Sequence, residues 1–421
     1  MDGALSELPQ HDFPVVVQKF GGTSVGDVER IRKVAARIAR TVEGGKKVAV
    51  TVSAMGRSTD RLVNLAKEVS SRPDRRELDV LLSTGEQQSI ALVTMMLQEL
   101  GVRARSFTGR QAGFLTDERY GSARIIEVDP AGMLTAFKDI DVCVVAGFQG
   151  VAGDGTITTL GRGGSDTTAV AVAAALGASE CEIYTDTEGV YTTDPHLVPG
   201  ATKLDTIDYD EMLELASLGA GVLHPRSVWY ARRYGVKIHV RSSFSYNPGT
   251  IVTRLEGAMK TDNPVTGVAL DLDHSRINLL GVPDTPGTAA KVFTALGKAG
   301  ISADMIIQGV PGDDTSRQQM AFTVNKDQVA DALDAVNAVL TGIGGRAEAD
   351  PNVAKLSVVG IAIGSTPGIA GRVFAAVSSV GANIEMITTS EVRVSVVIPA
   401  DKAKDALRAV HSAFGLDDMK A

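Results

Sequence analysis

Cysteine, tryptophan and aromatic side chains are scarce in this sequence, and each scarcity closes off a class of function. Only two cysteines occur in 421 residues. Cys143 and Cys181 each sit in an apolar, strand-like run, so they read as reduced core residues and not as a disulfide framework. Six histidines are scattered without metal-ligand spacing to either cysteine; no zinc site and no dedicated protein metal site is expected. With one tryptophan and 5% aromatics, the core must be built from Val, Ala, Leu and Ile. A net charge of −8 lacks the basic face that a nucleic-acid partner needs. The longest apolar run, residues 169–176, falls far short of the roughly 20 residues that span a bilayer. Residues 1–12 are polar and acidic with no apolar targeting core, so a soluble, cytoplasmic protein is expected, with no membrane partner. Gly-x-x-x-x-Gly-Lys-Ser/Thr is also absent, which excludes a Walker A loop.

What is present is glycine, 44 residues of it, gathered at turns and not in low-complexity tracts. The most informative turn is Thr158-Thr159-Leu160-Gly161-Arg162-Gly163-Gly164-Ser165-Asp166-Thr167-Thr168. Its glycines let backbone amides approach an anion, Arg162 adds a fixed cation, and the hydroxyls add donors. The run of small apolar residues that follows reads as a buried helix whose first amides and dipole point back at this loop. Upstream, an apolar strand at Val15 runs into Lys19-Phe20-Gly21-Gly22-Thr23-Ser24, and then Val28, Ile31, Val34, Ala35 and Ile38 recur at helical spacing. That is a second anion-binding strand–turn–helix unit, with Lys19 at the strand's end. Further strands are expected at residues 48–52, 142–146, 182–186 and 237–241, the last closing the sheet. Glu86, after Ser83-Thr84-Gly85, is expected at the start of a helix, where the dipole favours an acid. Asp154-Gly155 reads as a hairpin turn. Strands alternating with helices imply an α/β fold, a mainly parallel sheet covered by helices on both faces, with ligands at the strands' C-terminal ends.

Beyond Asn263-Pro264 the chain repeats itself. Pro286-Gly287-x4-Val292-Phe293 recurs as Pro367-Gly368-x4-Val373-Phe374, and Asp304-Met305-Ile306 as Glu385-Met386-Ile387, at a constant offset of 81 residues. Each copy reads as βαββαβ, with a loop and helix start able to hold a small zwitterion. The predicted organisation is residues 1–258, 265–349 and 350–421. The second copy lacks a closing strand, because the residues after its last helix are acidic and poor in β-branched side chains. Residues 265–270, a spare strand ahead of the first copy, are therefore expected to cross over and fill that vacancy.

The two glycine motifs together identify a family: the chain resembles the aspartokinases, of the amino-acid kinase fold, from about Val15 onwards, and its repeats resemble ACT domains. The resemblance implies ATP-dependent phosphorylation of the L-aspartate β-carboxylate, with lysine and/or threonine as effectors. On that basis Lys19, Arg162 and Asp166 are the catalytic candidates, with Lys19 on the phosphates, Arg162 on a substrate carboxylate and Asp166 orienting the lysine. Ser53, Thr59, Glu86, Gly163, Gly164 and Ser165 are implied on the substrate side, Glu86 taking the α-ammonium group. Phe20, Gly21, Gly22, Thr185, Asp186, Tyr191, Thr192, Thr193, Asp194, Pro195 and His196 join Lys19 on the ATP side, with Mg²⁺ carried in by the nucleotide. Asp284, Gly287, Thr288, Ala289, Gln308, Ile369, Ala370, Asn383 and Ile384 are implied as effector-site residues. A carboxylate nucleophile is already ionised at pH 7, so no histidine base is required. Two positions depart from the family pattern: Gly221 stands where many relatives have lysine, and Gly309 where they often have asparagine. A homo-oligomer through the ACT repeats is implied. A shorter regulatory subunit starting near Met259 is a further implication, which mass spectrometry of the native protein would detect. A kinase for another amino acid, such as glutamate, and a catalytically dead sensor are the competing readings.

Overall fold

The structure, a computed structural model, describes residues 12–219, 221–255, 263–309 and 317–417. Met259, Ala220 and all but Asn263 and Pro264 of the boundary expected near residues 257–264 lie outside these.

Eight strands form the large sheet, in the order Thr206–Asp208, Thr250–Thr253, Ile238–Ser242, Cys181–Thr185, Val15–Phe20, Lys47–Val52, Val142–Ala146 and Ala104–Phe107. All neighbours are parallel except the pair Ile238–Ser242 and Thr250–Thr253. Residues 237–241 therefore do not close the sheet. The chain returns antiparallel beside them as Thr250–Thr253, and Thr206–Asp208, from earlier in the chain, lies beyond that strand. The central strands are apolar on both faces, as a doubly covered parallel sheet requires. Two core clusters result, one on each face. The helix Gly164–Ala175 is apolar all round because it is buried all round, between the sheet and the helix Pro225–Tyr234.

Two further expectations are corrected. Gly85 is not a turn: Arg75–Glu99 is one continuous helix, and Glu86 lies in its middle, away from any helix start. Gly85 is there for close packing, since a Cβ would sit 2.9 Å from the Ala54 Cβ. Gln149–Val151 and Ile157–Thr159 pair as the hairpin around Asp154-Gly155, and join Phe114–Thr116 and Ile125–Val128 in a small second sheet that local pattern did not indicate.

The two repeats each build a four-stranded antiparallel sheet. The first has the order Asp304–Gln308, Arg317–Asn325, His274–Pro283, Arg346–Asp350. In the second, Gly267–Asp271 occupies the position that Arg346–Asp350 holds in the first, pairing antiparallel with Val353–Val359 from Gly267 opposite Val359 to Asp271 opposite Lys355. Val265 and Val268 belong to the second repeat's core. Reciprocal ion pairs join the repeats. Arg276 of the first meets Glu385 of the second at 2.5 Å, and Lys355 of the second meets Asp304 of the first at 2.9 Å.

Candidate active site

The C-terminal ends of the first two strands bring the upstream candidates together. Lys19 ends the strand Val15–Phe20 and pairs with Asp166 Oδ1 at 2.5 Å, both side chains mostly buried. Thr51 is its sheet neighbour, and the buried Thr51 hydroxyl has no hydrogen-bond partner among the described residues. The loops after the two strands interlock: Gly56 N donates to Gly22 O at 3.0 Å, and a Cβ on Gly22 would sit 2.8 Å from Ala54 O. Gly21 is less constrained, since a Cβ there would stand 3.4 Å from Lys19 Nζ, an ordinary contact. Phe20 contributes only backbone here, because its ring stacks on Tyr184 in the core at 4.6 Å. Ser53 is half-buried and donates its amide to Phe20 O, while Thr59 lies in the first turn of the helix Ser58–Val69.

Glu86 reaches this end from the long helix. Its Oε1 accepts the Ala54 amide at 3.0 Å, and its Oε2, buried, has no hydrogen-bond partner among the described residues. Burial pushes the carboxyl up to about 7, against the pull of the Ala54 amide. The sign follows: between about 4.5 and 7 the fold keeps a proton that the unfolded chain has lost, so stability falls as pH rises through that window. A cation bound at Oε2 would reverse that cost.

The central loop is held from three sides. Asp79, wholly buried, accepts from Thr159 N at 2.8 Å, Thr159 Oγ1 at 2.7 Å and Gly121 N at 2.9 Å. Arg226 donates to Leu160 O and to Ala123 O. His224 caps the helix Pro225–Tyr234, its Nδ1 accepting the Arg226 amide, and its ring occupies the space beside Gly163. A Cβ on Gly163 would lie 2.0 Å from His224 Cγ, and φ there is +65°, so only glycine fits. Burial lowers the His224 pKa, with Asp166 opposing. Gly163 caps the helix Gly164–Ala175; the Gly164 amide bonds back to Gly161 O at 3.0 Å, while the first-turn amides of Ser165 and Asp166 cannot bond within the helix. Ser165 packs onto Gly147, where a Cβ would come within 2.6 Å of its hydroxyl. Gln149 adds a buried bond from its Nε2 to Ser83 O at 2.9 Å, and none of Asp79, Gln149, Gly147 or His224 was singled out from the sequence for these roles. The one signal was an acid, Asp79, within an apolar helical stretch.

Cavities open at this end, among them a cleft of about 1160 Å³ beside Met55, Gly56 and Ser58, and two more. One, of about 440 Å³, is lined by Thr185, Asp186, Tyr191, Thr193, Asp194, Pro195 and His196, and also by Val268–Leu270 and Leu407 from the second repeat. Thr192 is not part of that lining: its hydroxyl points to His411 instead. The other, a wider cleft of about 820 Å³, holds Arg162, Gly163, Asp166 and His224 on one side and Asp304, Lys355 and Arg393 on the other. Arg162 is exposed and, among the described residues, makes no ion pair. Gly219 and Gly221 line both cavities, so the two meet there. The residues fit a nucleotide: a cavity with apolar walls and a polar Thr/Asp/Tyr rim, and a lysine whose partner acid fixes its position. Glu180, Glu182 and His239 also come together, but Glu182 is already bonded to Gln18, Tyr184 and Arg241, and His239 to Glu180. That cluster is an ion-pair network. Both cysteines are buried, and desolvation raises both thiols, Cys143 to about 12.

The implied effector residues fall in two groups. Asp284, Gly287, Thr288 and Ala289 lie at the loop and start of the helix Thr288–Lys298, with Gln308 ending its sheet's edge strand; Ile369 and Ala370 start the helix Ile369–Ser379, with Asn383 and Ile384 just before Met386–Thr389. Thr288 and Ile369 are buried, while Asp284, Gln308 and Asn383 are exposed.

Comparison with known proteins agrees with this architecture. Residues 14–242 match the amino acid kinase family, and residues 277–340 and 356–414 match the ACT domain. An aspartokinase of Thermus thermophilus is 64% identical over 403 residues, spanning 96% of this chain and 99% of the relative. Escherichia coli aspartokinase III in complex with aspartate and ADP (R-state) superposes with a TM-score of 0.77 at 27% identity, covering 95% of this chain and 99% of that one. The same enzyme in complex with lysine and aspartate (T-state) gives 0.73 at 28% identity, covering 94% and 99%. Fold and site together define an ATP-dependent kinase of the amino-acid kinase class, carrying ACT domains. The chain belongs to the aspartokinases. Among the described residues no helix is long and apolar enough to cross a membrane.

Proposed function

We propose that this protein transfers the γ-phosphoryl group of ATP to the β-carboxylate of L-aspartate, giving 4-phospho-L-aspartate and ADP, in the cytoplasm. A carboxylate oxygen attacks the γ-phosphorus as the bond to the β,γ-bridging oxygen breaks, and ADP leaves with that electron pair. Most of the catalysis is then positioning and charge neutralisation. Lys19, fixed by Asp166, and the amides of Gly21, Gly22 and Ser165 face the charge that develops on the moving group. Arg162 takes a carboxylate of the amino acid, where its planar fork suits two oxygens. Ser53 and Thr59 supply hydroxyls to the same substrate. The ATP base and ribose occupy the cavity of Thr185, Asp186, Tyr191 and Thr193–His196; Gly221, with no side chain, can contribute only backbone there. Mg²⁺ arrives on the nucleotide and needs no protein cage.

The observation that carries this reading is Glu86: a buried carboxylate with one oxygen anchored and the other without a partner among the described residues, suited to an α-ammonium group. It predicts a pH profile. Binding the ammonium group requires ionised Glu86, so kcat/KM for aspartate is expected to rise about tenfold per pH unit below 7 and to level off above it. Calorimetry in buffers of different ionisation enthalpy is expected to show close to one proton released on aspartate binding at pH 6 and none at pH 8.5. Glu86→Gln removes both effects. A flat profile in the wild-type protein would remove Glu86 from the ammonium site.

Lysine and/or threonine are the proposed effectors, acting through the ACT repeats, and the repeats' sheet edges are the proposed contacts of a homo-oligomer. Binding of lysine by the Escherichia coli relative supports this. A steady-state ADP-release assay with lysine, threonine and both together tests it; rates unchanged by every addition would contradict feedback control.

A further inference from the structure

The buried histidine of the last helix has no part in the chemistry above. His411 lies in Ala403–Ala413 of the second ACT repeat and is wholly inaccessible to solvent. Its Nε2 is 2.9 Å from the hydroxyl of Thr192, in the middle of the cavity-lining loop. Its Nδ1 stands 3.0 Å from Asp417 Oδ1, an ion-pair approach not aligned as a hydrogen bond. Asp417 Oδ2 in turn accepts from Ser412 at 3.0 Å.

Thr192 is the point at which this repeat grips the loop. Its hydroxyl oxygen accepts the Thr202 amide at 3.0 Å, and its amide donates to Thr202 O at 2.9 Å. Its carbonyl accepts the amide of Val268, on the crossing strand, at 2.7 Å. A Cβ on Gly267 would come within 2.8 Å of that carbonyl, so the strand can lie this close only as glycine. With the Thr202 amide on the oxygen, the hydroxyl proton is free to go to Nε2 of a neutral imidazole. Burial favours that neutral form. Nε2 is the ring nitrogen that has a hydrogen-bond partner, and losing Thr192 would leave it unmatched where no water reaches it.

We propose that His411 is a positioning residue for the nucleotide: by bonding Thr192 it sets the geometry of the Tyr191–His196 loop from the second ACT repeat, so that ATP affinity depends on a side chain that never touches ATP. This rests on the reading that the loop binds the nucleotide. Leu407, on the same helix as His411, itself lines the cavity, so a shift of this helix would alter both the loop and the wall.

The test uses the full-length protein, with MgATP and aspartate varied separately. His411→Leu keeps the buried apolar volume and removes the bond. It is expected to raise the KM for ATP about tenfold, leaving the KM for aspartate and kcat at saturating ATP within about twofold. His411→Gln, whose amide can reach Thr192, is expected to stay within about threefold of wild type. In a Thr192→Val background, His411→Leu is expected to add nothing. An unchanged ATP KM in folded His411→Leu overturns the proposal; so does an equal rise in both KM values, or a glutamine variant as impaired as the leucine one. If His411→Leu does not fold, Thr192→Val and His411→Gln carry the test: a raised ATP KM in the first and near-normal behaviour in the second support it, and a normal ATP KM in the first overturns it. Tyr191→Ala, within the cavity lining, separates the two levels. A raised ATP KM there with His411→Leu normal overturns the His411 role alone, and normal values in both overturn the nucleotide reading beneath it.

Discussion

Lys19→Ala is expected to lower kcat by a hundredfold or more, the scale for deleting a principal charge stabiliser of a transition state. The fold is expected to survive, because Lys19 stands at a strand end and is not part of either core cluster. Removing the ammonium group does leave the Asp166 carboxylate mostly buried without its counter-charge. Some destabilisation, on the order of 1–3 kcal/mol, should therefore accompany the loss of turnover. The double variant Lys19→Ala/Asp166→Asn separates the two effects: melting should recover and turnover should not. Near-normal kcat in well-folded Lys19→Ala would remove the lysine from the chemistry.

Separating the repeats at Pro351 is expected to destroy the second one outright. Every residue of Val353–Val359 is buried, and its outer partner is Gly267–Asp271, which comes from before the first repeat. A chain of residues 352–421 loses that strand and leaves a long apolar edge unpaired, open to aggregation. It also loses Val265 and Val268, each fully buried. At about 1.5–3 kcal/mol apiece, they approach the whole stability of a small domain before any hydrogen bond is counted. Residues 352–421 alone should be insoluble or show no cooperative melt, whereas residues 259–421 should melt cooperatively by circular dichroism. A soluble, cooperatively folded 352–421 fragment would contradict this.

Local signals made much of this legible. Lys19-Phe20-Gly21-Gly22 and Gly161-Arg162-Gly163-Gly164 announce strand–turn–helix units because the backbone conformations they need are written in a few adjacent residues. The crossing strand followed from counting: one repeat had a strand too few and the chain before the other had one to spare. Long-range partners were hidden. Asp79 anchors Thr159 from 80 residues away, and Gln149 bonds Ser83 O from 66. No periodicity encodes such pairs. Gly85 misled because the same residue serves a turn or a close approach, and the proximity of Ala54 that decides between them is tertiary. Thr192 shows the finer limit. Its place in the Tyr191–His196 loop could be inferred from the motif, but the direction of its hydroxyl, toward His411, depends on how the second repeat docks.

The most direct measurement of the central claim is to trap the product. With ATP, Mg²⁺ and hydroxylamine present, an acyl phosphate is converted to a coloured hydroxamate, and aspartate and glutamate can be compared side by side. The account predicts aspartyl hydroxamate formed in step with ADP, little with glutamate, and none with either from Lys19→Ala. Hydroxamate from glutamate in preference to aspartate, or none from either substrate with the folded wild-type protein, would contradict it.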